Sequence, residues 1–158
     1  MNARTAARLL ALGLALAGCA SSSAPEAPRE VLIRLGTERL GVGFDPKEVH
    51  VPYVETIRII FRNDVDPTWD MPHNVAIAAP GREDALIASV RNLGVHHLQL
   101  AEKLRDSPDV LAMTGALAPG ESETIDFHPP GPGSYQYICL VPGHAERMGM
   151  VGVLVVSD

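Results

Sequence analysis

Positive charge, cysteine, aromatic side chains and long apolar runs are all scarce in this chain, and each shortage narrows what it can be. Lysine and arginine number 13 against 19 acidic residues, for a net charge of −6. That balance argues against nucleic acid as a partner, because such binding rests on neutralising phosphates. It permits docking to a basic protein, although an acidic surface also serves solubility. The apolar run at residues 9–17 is too short to cross a bilayer, which takes about 20 residues. No internal repeat is visible, so the 158 residues read as one domain with a sizeable core. Aromatic residues make up only 4%, while 14 glycines and 13 prolines are more than a helical bundle tolerates. The turn-rich, β-branched-rich remainder predicts a mostly β domain. The only cysteines are Cys19 and Cys139.

Arg4 and Arg8 precede the apolar run, and Leu16-Ala17-Gly18-Cys19 closes it. This arrangement resembles the bacterial lipoprotein box, in which the chain is cut before the cysteine and the sulfur carries a diacylglycerol. The resemblance implies a signal peptide at 1–18, lipidation of Cys19 and a periplasmic, membrane-anchored protein. Each buried methylene of such an anchor contributes about 0.8 kcal/mol. Ala20 and Ser21 give no inner-membrane retention signal of the Asp type. Residues 19–29 are small, polar and proline-punctuated, a flexible tether that cannot bury enough apolar surface to fold. Residues 30–158 are then the folded domain. With Cys19 acylated, Cys139 is a lone thiol in an oxidising compartment and cannot form an internal disulfide. Metal ligation is the obvious alternative use.

Within the domain, residues 31–40 begin as an alternating strand, 41–46 read as a turn and 48–51 as a short strand. Ile57, Ile59 and Phe61 alternate with polar or outward positions, the pattern of a half-buried strand. Residues 63–72 form a loop rich in Asp and Pro, and 73–79 a further strand with Val75 and Ile77 on one face. Between 82 and 106, Leu86, Val90, Leu93, His97, Leu100 and Leu104 recur at helical spacing. Residues 107–117 look irregular, and strands follow at 122–127, 134–139 and 151–156. Six or more short strands with one helical excursion between central strands predict a Greek-key β-sandwich.

The strongest chemical signal lies near the C-terminus, in Cys139-Leu140-Val141-Pro142-Gly143-His144 followed by Met148 and Met150. Upstream, Pro72-His73-Asn74 supplies a second histidine. One thiolate and two imidazoles make a trigonal set, and a thioether adds a long, weak axial bond. Soft sulfur favours Cu(I), whereas imidazole suits both oxidation states, so the site changes little when its charge changes by one. Zinc competes for Cys and two His, but a fourth Cys, His or carboxylate would then be expected, and none follows at conventional spacing.

This segment resembles the cupredoxin family of type 1 blue copper proteins, the azurin, auracyanin and rusticyanin group in particular. The stretch from Leu111-Ala112-Met113-Thr114 to Pro119-Gly120-Glu121-Ser122 is similar as well, and so is His73-Asn74. The resemblance implies an eight-stranded sandwich with one copper at one end, shielded from water. It implies His73, Cys139 and His144 as equatorial ligands, and Asn74 as the hydrogen-bonding tie between the two ligand loops. The Val141 N–H near the sulfur would help tune the potential. Pro72 stands where azurin has a glycine whose carbonyl makes a fifth contact. Met148 has the azurin spacing and Met150 the usual register into the final strand, so both are axial candidates, with the register favouring Met150.

His50, His96, His97 and His128 read as surface histidines. Met71, Pro72, Leu140, Pro142 and the non-ligand methionine would form an apolar collar beside His144, through whose imidazole edge an electron leaves. The expected function is one-electron Cu(I)/Cu(II) transfer by a monomer that is not an enzyme. Its partners would be a cytochrome c-like donor and a terminal oxidase or reductase acceptor. The alternative is a periplasmic copper-binding or delivery module, which would more often display exposed Met/His clusters. A copper enzyme would add a second centre and a His-x-His pair, and a binuclear electron-entry site a second loop cysteine; the chain has neither.

Overall fold

A computed structural model describes residues 29–35, 43–93, 99 and 103–158. The expected signal peptide, Cys19, the expected tether up to residue 28, His96 and His97 lie outside those residues. The described strands are β1 (Arg29–Leu35), β2 (Phe44–Asp45), β3 (Glu48–Pro52), β4 (Ile57–Arg62), β5 (Ala76–Ala78), β6 (Val110–Met113), β7 (Ser122–Phe127), β8 (Gly133–Ile138) and β9 (Val151–Ser157). They form a four-stranded sheet of order β2-β1-β4-β7 and a five-stranded sheet of order β3-β9-β8-β5-β6. Helices α1 (Glu83–Leu93) and α2 (His144–Met148) accompany them. The whole is a Greek-key β-sandwich.

Alternation sets the core between the sheets. Ile57, Ile59 and Phe61 of β4 face Tyr135 and Tyr137 of β8 and Leu154 and Val156 of β9, all nearly inaccessible to solvent. The few aromatics are concentrated here. Phe44 meets the Tyr137 ring edge-on at 5.0 Å and Phe61 at 6.2 Å, an arrangement that suits ring quadrupoles.

β5 departs from alternation because it is covered on both faces. Val75 and Ile77 join the core between the sheets, whereas Ala76 and Ala78 point outward into a second cluster with Leu86 and Val90 of α1. Alanine's small side chain lets the helix lie close to the sheet. Helix α1 therefore covers the outer face of β5 and β8. Glu83 and Asp84 open α1 and Arg91 lies in its last turn, each at the helix end that its charge favours.

Several boundaries differ from the sequence reading. Nine strands are described where the resemblance implied eight and the chain was read as seven; the two not foreseen are β6 and Phe44–Asp45, where only a turn was expected. The segment read as irregular at 107–117 contains β6, whose residues lack alternation because they are partly covered on both sides. His73 makes an isolated bridge to Leu117, and the strand after it begins only at Ala76. Arg29, assigned to the tether, opens β1.

Candidate metal centre

Two loops bring the sulfur and the imidazoles together. His73 N–H donates to Leu117 O at 3.0 Å and Leu117 N–H donates back to His73 O at 2.8 Å. The loop before His73 is held by Asn63, which is fully buried. Its Nδ2 donates to Met71 O at 2.9 Å and Leu117 O at 3.0 Å, and its Oδ1 accepts from Val65 N–H at 3.2 Å. Sequence reasoning missed Asn63, although it continues the inward series Ile57, Ile59, Phe61 with a polar residue. Thr114 was missed too; its buried hydroxyl accepts from Val75 N–H at 3.1 Å and donates to Gly115 O at 2.9 Å.

Cys139 follows the last residue of β8, and its N–H donates to Met150 O at 3.1 Å. Gly143, at φ 86°, turns the chain into the single turn of α2, and His144 N–H donates to Val141 O at 3.0 Å. Gly149, at φ 68°, ends α2, so that Met150 N–H donates to His144 O at 3.1 Å. Both positions lie in the left-handed region that favours glycine. Asn74 Oδ1 accepts from Leu140 N–H at 2.7 Å and so joins the His73 segment to the Cys139 segment.

The three donor atoms form a tight triangle. Cys139 Sγ lies 3.7 Å from His73 Nδ1 and 3.4 Å from His144 Nδ1, and the two nitrogens are 3.0 Å apart. Metal bonds of about 2.0–2.3 Å to nitrogen and sulfur, arranged trigonally, give edges of about 3.5–3.8 Å. The observed triangle is at or slightly inside that size and fits one ion. His73 and Cys139 are fully buried, and His144 is 6% exposed, so all three ligands are shielded from bulk solvent.

Without a metal, this environment favours uncharged donors. Burial pushes His73 down to about 3, helped by repulsion from His144. Burial pushes the Cys139 thiol up to about 12, against the opposing pull of the Asn74 and Val141 backbone N–H groups. A bound cation reverses this preference and takes the sulfur as thiolate, so copper uptake releases a proton. In the metal-free protein, His73 has a folded pKa below its unfolded value, so the unfolded chain binds more protons as pH falls. Stability is therefore present above about pH 6.5 and declines as pH falls toward about 3. Denaturant titrations of the metal-free protein at a series of pH values should show a loss of several kcal/mol across that window. A flat profile would contradict the buried neutral imidazole.

The two methionines are clearly separated. Met150 is fully buried in the core cluster that contains Cys139, whereas Met148 is 43% exposed on α2. His73, Cys139, His144 and Met150 are arranged as a type 1 copper site. Replacing an axial thioether by an alkyl group lowers the coordination number, which costs Cu(II) more than Cu(I) and so raises the potential. Met150→Leu is accordingly expected to raise the reduction potential, while Met148→Leu leaves it unchanged; voltammetry of both variants decides between them.

Among the other residues singled out, Pro72 and Met71 are half-buried and Pro142 is exposed. Leu140 does not belong to the collar: at 2% exposure it packs into the α1 cluster. Trp69, which the sequence reading passed over, is 52% exposed. His50 contacts Glu48 at 2.6 Å, and His128 contacts Thr56 at 3.1 Å, both away from the triangle.

The family profile described as copper binding proteins, plastocyanin/azurin family, matches residues 31–157. Auracyanin-A of Chloroflexus aurantiacus is 30% identical over 128 residues, covering 80% of this chain and 75% of that protein. Auracyanin-B of the same organism is 48% identical over 52 residues, a match spanning 33% of this chain and only 22% of that protein. The crystal structure of dithionite-reduced auracyanin from Roseiflexus castenholzii superposes with a TM-score of 0.66 at 29% identity, covering 84% of this chain and 99% of that one. A profile match over nearly the whole described domain, on a sandwich that buries a Cys–His–His triangle, places the chain in the plastocyanin/azurin family as a blue copper protein of cupredoxin fold.

Proposed function

We propose that this copper electron-transfer protein shuttles single electrons between redox proteins at the extracytoplasmic surface of a membrane, anchored by lipid on Cys19. In this reading His73, Cys139 and His144 are the equatorial ligands and Met150 is the axial one. The bound copper supplies a one-electron Cu(I)/Cu(II) couple. The protein holds the donors in one geometry, with the Asn74 and Val141 N–H groups directed at the sulfur to set the potential. The observation that carries the reading is the burial of all three donors. A buried ligand set suits outer-sphere electron transfer, in which no substrate binds the metal, and so argues against an enzyme. It also favours electron transfer over copper delivery, which requires ligands that a partner can reach.

His144 is the least buried of the three ligands, and two exposed apolar side chains stand near the ligands along the chain. Met148 is on its own helix, and Trp69 sits four positions before His73. Trp69 is carried on a short 3-10 turn (Pro67–Trp69) capped by Asp66, whose Oδ1 accepts from Thr68 N–H at 2.8 Å and Thr68 Oγ1 at 2.7 Å. Exposed Asp66 and Asp70 lie on either side of Trp69 in the chain. An apolar centre with an acidic rim fits a redox partner with basic residues around its electron port, a cytochrome c-like donor or a terminal oxidase or reductase acceptor. Stopped-flow oxidation of the reduced protein by a basic c-type cytochrome tests this. Trp69→Ala is expected to lower the second-order rate constant about tenfold with an unchanged potential, as for a central interface anchor. An unchanged rate would contradict the docking face, and copper release to the partner in place of electron exchange would favour the delivery reading.

A further inference from the structure

Helix α1 contributes no donor atom, yet it touches the ligand loop just beyond each of the two ligands. Leu140, which follows Cys139, and Ala145, which follows His144, both pack against the cluster built by Leu86 and Val90. Beyond them, Arg91 in the last turn of α1 forms an ion pair with Glu146 in the first turn of α2. Each charge sits at the helix end whose dipole it suits. Between these anchors a cleft of about 250 Å³ separates α1 from Val141, Pro142 and Gly143. Val141 anchors the loop to the core between the sheets, while Pro142 and Gly143 border the cleft and α1 holds the loop from its outer side.

We propose that α1 is a brace for the copper-ligand loop, with Arg91 and Glu146 as positioning residues that act on His144 through α2. The proposal rests on the copper reading above. A helix of five residues does not hold its own geometry, so the direction of the His144 imidazole depends on what α2 is tied to. An electron carrier needs that direction to be the same in both oxidation states. The brace supplies this from outside the sandwich, because the ion pair adjoins the ligand without touching the metal.

The test uses the full-length, copper-loaded chain and the variants Arg91→Gln, Glu146→Gln and Arg91→Glu/Glu146→Arg. A partly exposed ion pair adds little to global stability, so unfolding midpoints should stay close to the parent's while the redox site responds. Both single variants are expected to shift the reduction potential in the same direction. The expected size is at least about a threefold change in the ratio of Cu(II) to Cu(I) affinity, or about 28 mV at 59 mV per tenfold for one electron. The exchanged double variant should return toward the parent. Charge acting through space would instead move the two single variants in opposite directions, because one loses a cation and the other an anion. Opposite shifts, or none, would overturn the brace. A parent protein with no thiolate-to-copper band would instead sink the copper reading beneath it.

Discussion

Cys139→Ser is expected to leave a folded but colourless protein after copper addition. The sulfur is the only thiol in the described domain and one corner of a triangle whose sides are 3.4, 3.7 and 3.0 Å. An intense visible band requires charge transfer from a thiolate, and a hydroxyl does not supply it. Serine is close to cysteine in volume and the site already offers two imidazole nitrogens to its hydroxyl, so the substitution costs little packing. A buried hydroxyl without a good partner costs about 1–3 kcal/mol on protein scales, which a marginally stable domain can absorb. Copper still held by His73 and His144 would give only weak ligand-field absorption. The comparison is absorption of the parent and the variant at equal copper loading, with circular dichroism as the check on folding. A variant that kept the intense band would show that the colour arises elsewhere.

The largest effect on stability is expected from a residue with no chemistry at all. Gly152 pairs with Tyr137 across β8 and β9, and a Cβ added there would fall well inside contact distance of the ring carbons Cε2 and Cζ. The ring cannot easily move away. Its hydroxyl donates to Pro46 O at 2.6 Å, and Phe44 packs against it at 5.0 Å. Gly152→Ala therefore overpacks the core just where the strand leads out of the ligand loop, at a cost of about 3 kcal/mol or more. For a domain of this size that corresponds to a fall in Tm of roughly 10 °C. Tyr137→Leu in the same chain should recover part of the loss, because the clash is between those two residues and neighbouring substitutions couple. Thermal unfolding of both variants measures this. A near-neutral Gly152→Ala would mean that the ring has more freedom than its contacts suggest.

How much of this was legible in the sequence follows from which interactions are local. The inward series Ile57, Ile59, Phe61 is a period-2 signal within one strand, and the structure buries all three. The donors near the C-terminus were legible because thiolate, imidazole and thioether are rare residues with specific metal chemistry, set close together along the chain. What stayed hidden was set by distant partners. Residues 110–113 carry no periodicity, and pairing with β5 is what makes them a strand. Leu140 reads as a rim residue because periodicity turns it away from the inward series of Tyr135 and Tyr137 in β8 and Cys139 just after it. Nothing in its neighbourhood reveals that α1 covers the outer face. Asn63 looks like any loop asparagine, since both carbonyls it donates to lie elsewhere, one of them 54 positions away. The separation of Met148 from Met150 depends on a single helical turn bounded by two glycines, which is too short to leave a periodic signal.

One titration bears on the whole reading most directly: copper(II) added stepwise to the metal-free protein under visible absorption, followed by one reducing and one oxidising equivalent. The expected result is an intense band that saturates at one copper per chain, bleaches with a single electron and returns in full on reoxidation. Absorption that stays weak at saturation, or a band that does not survive the cycle, would contradict a buried one-electron copper site.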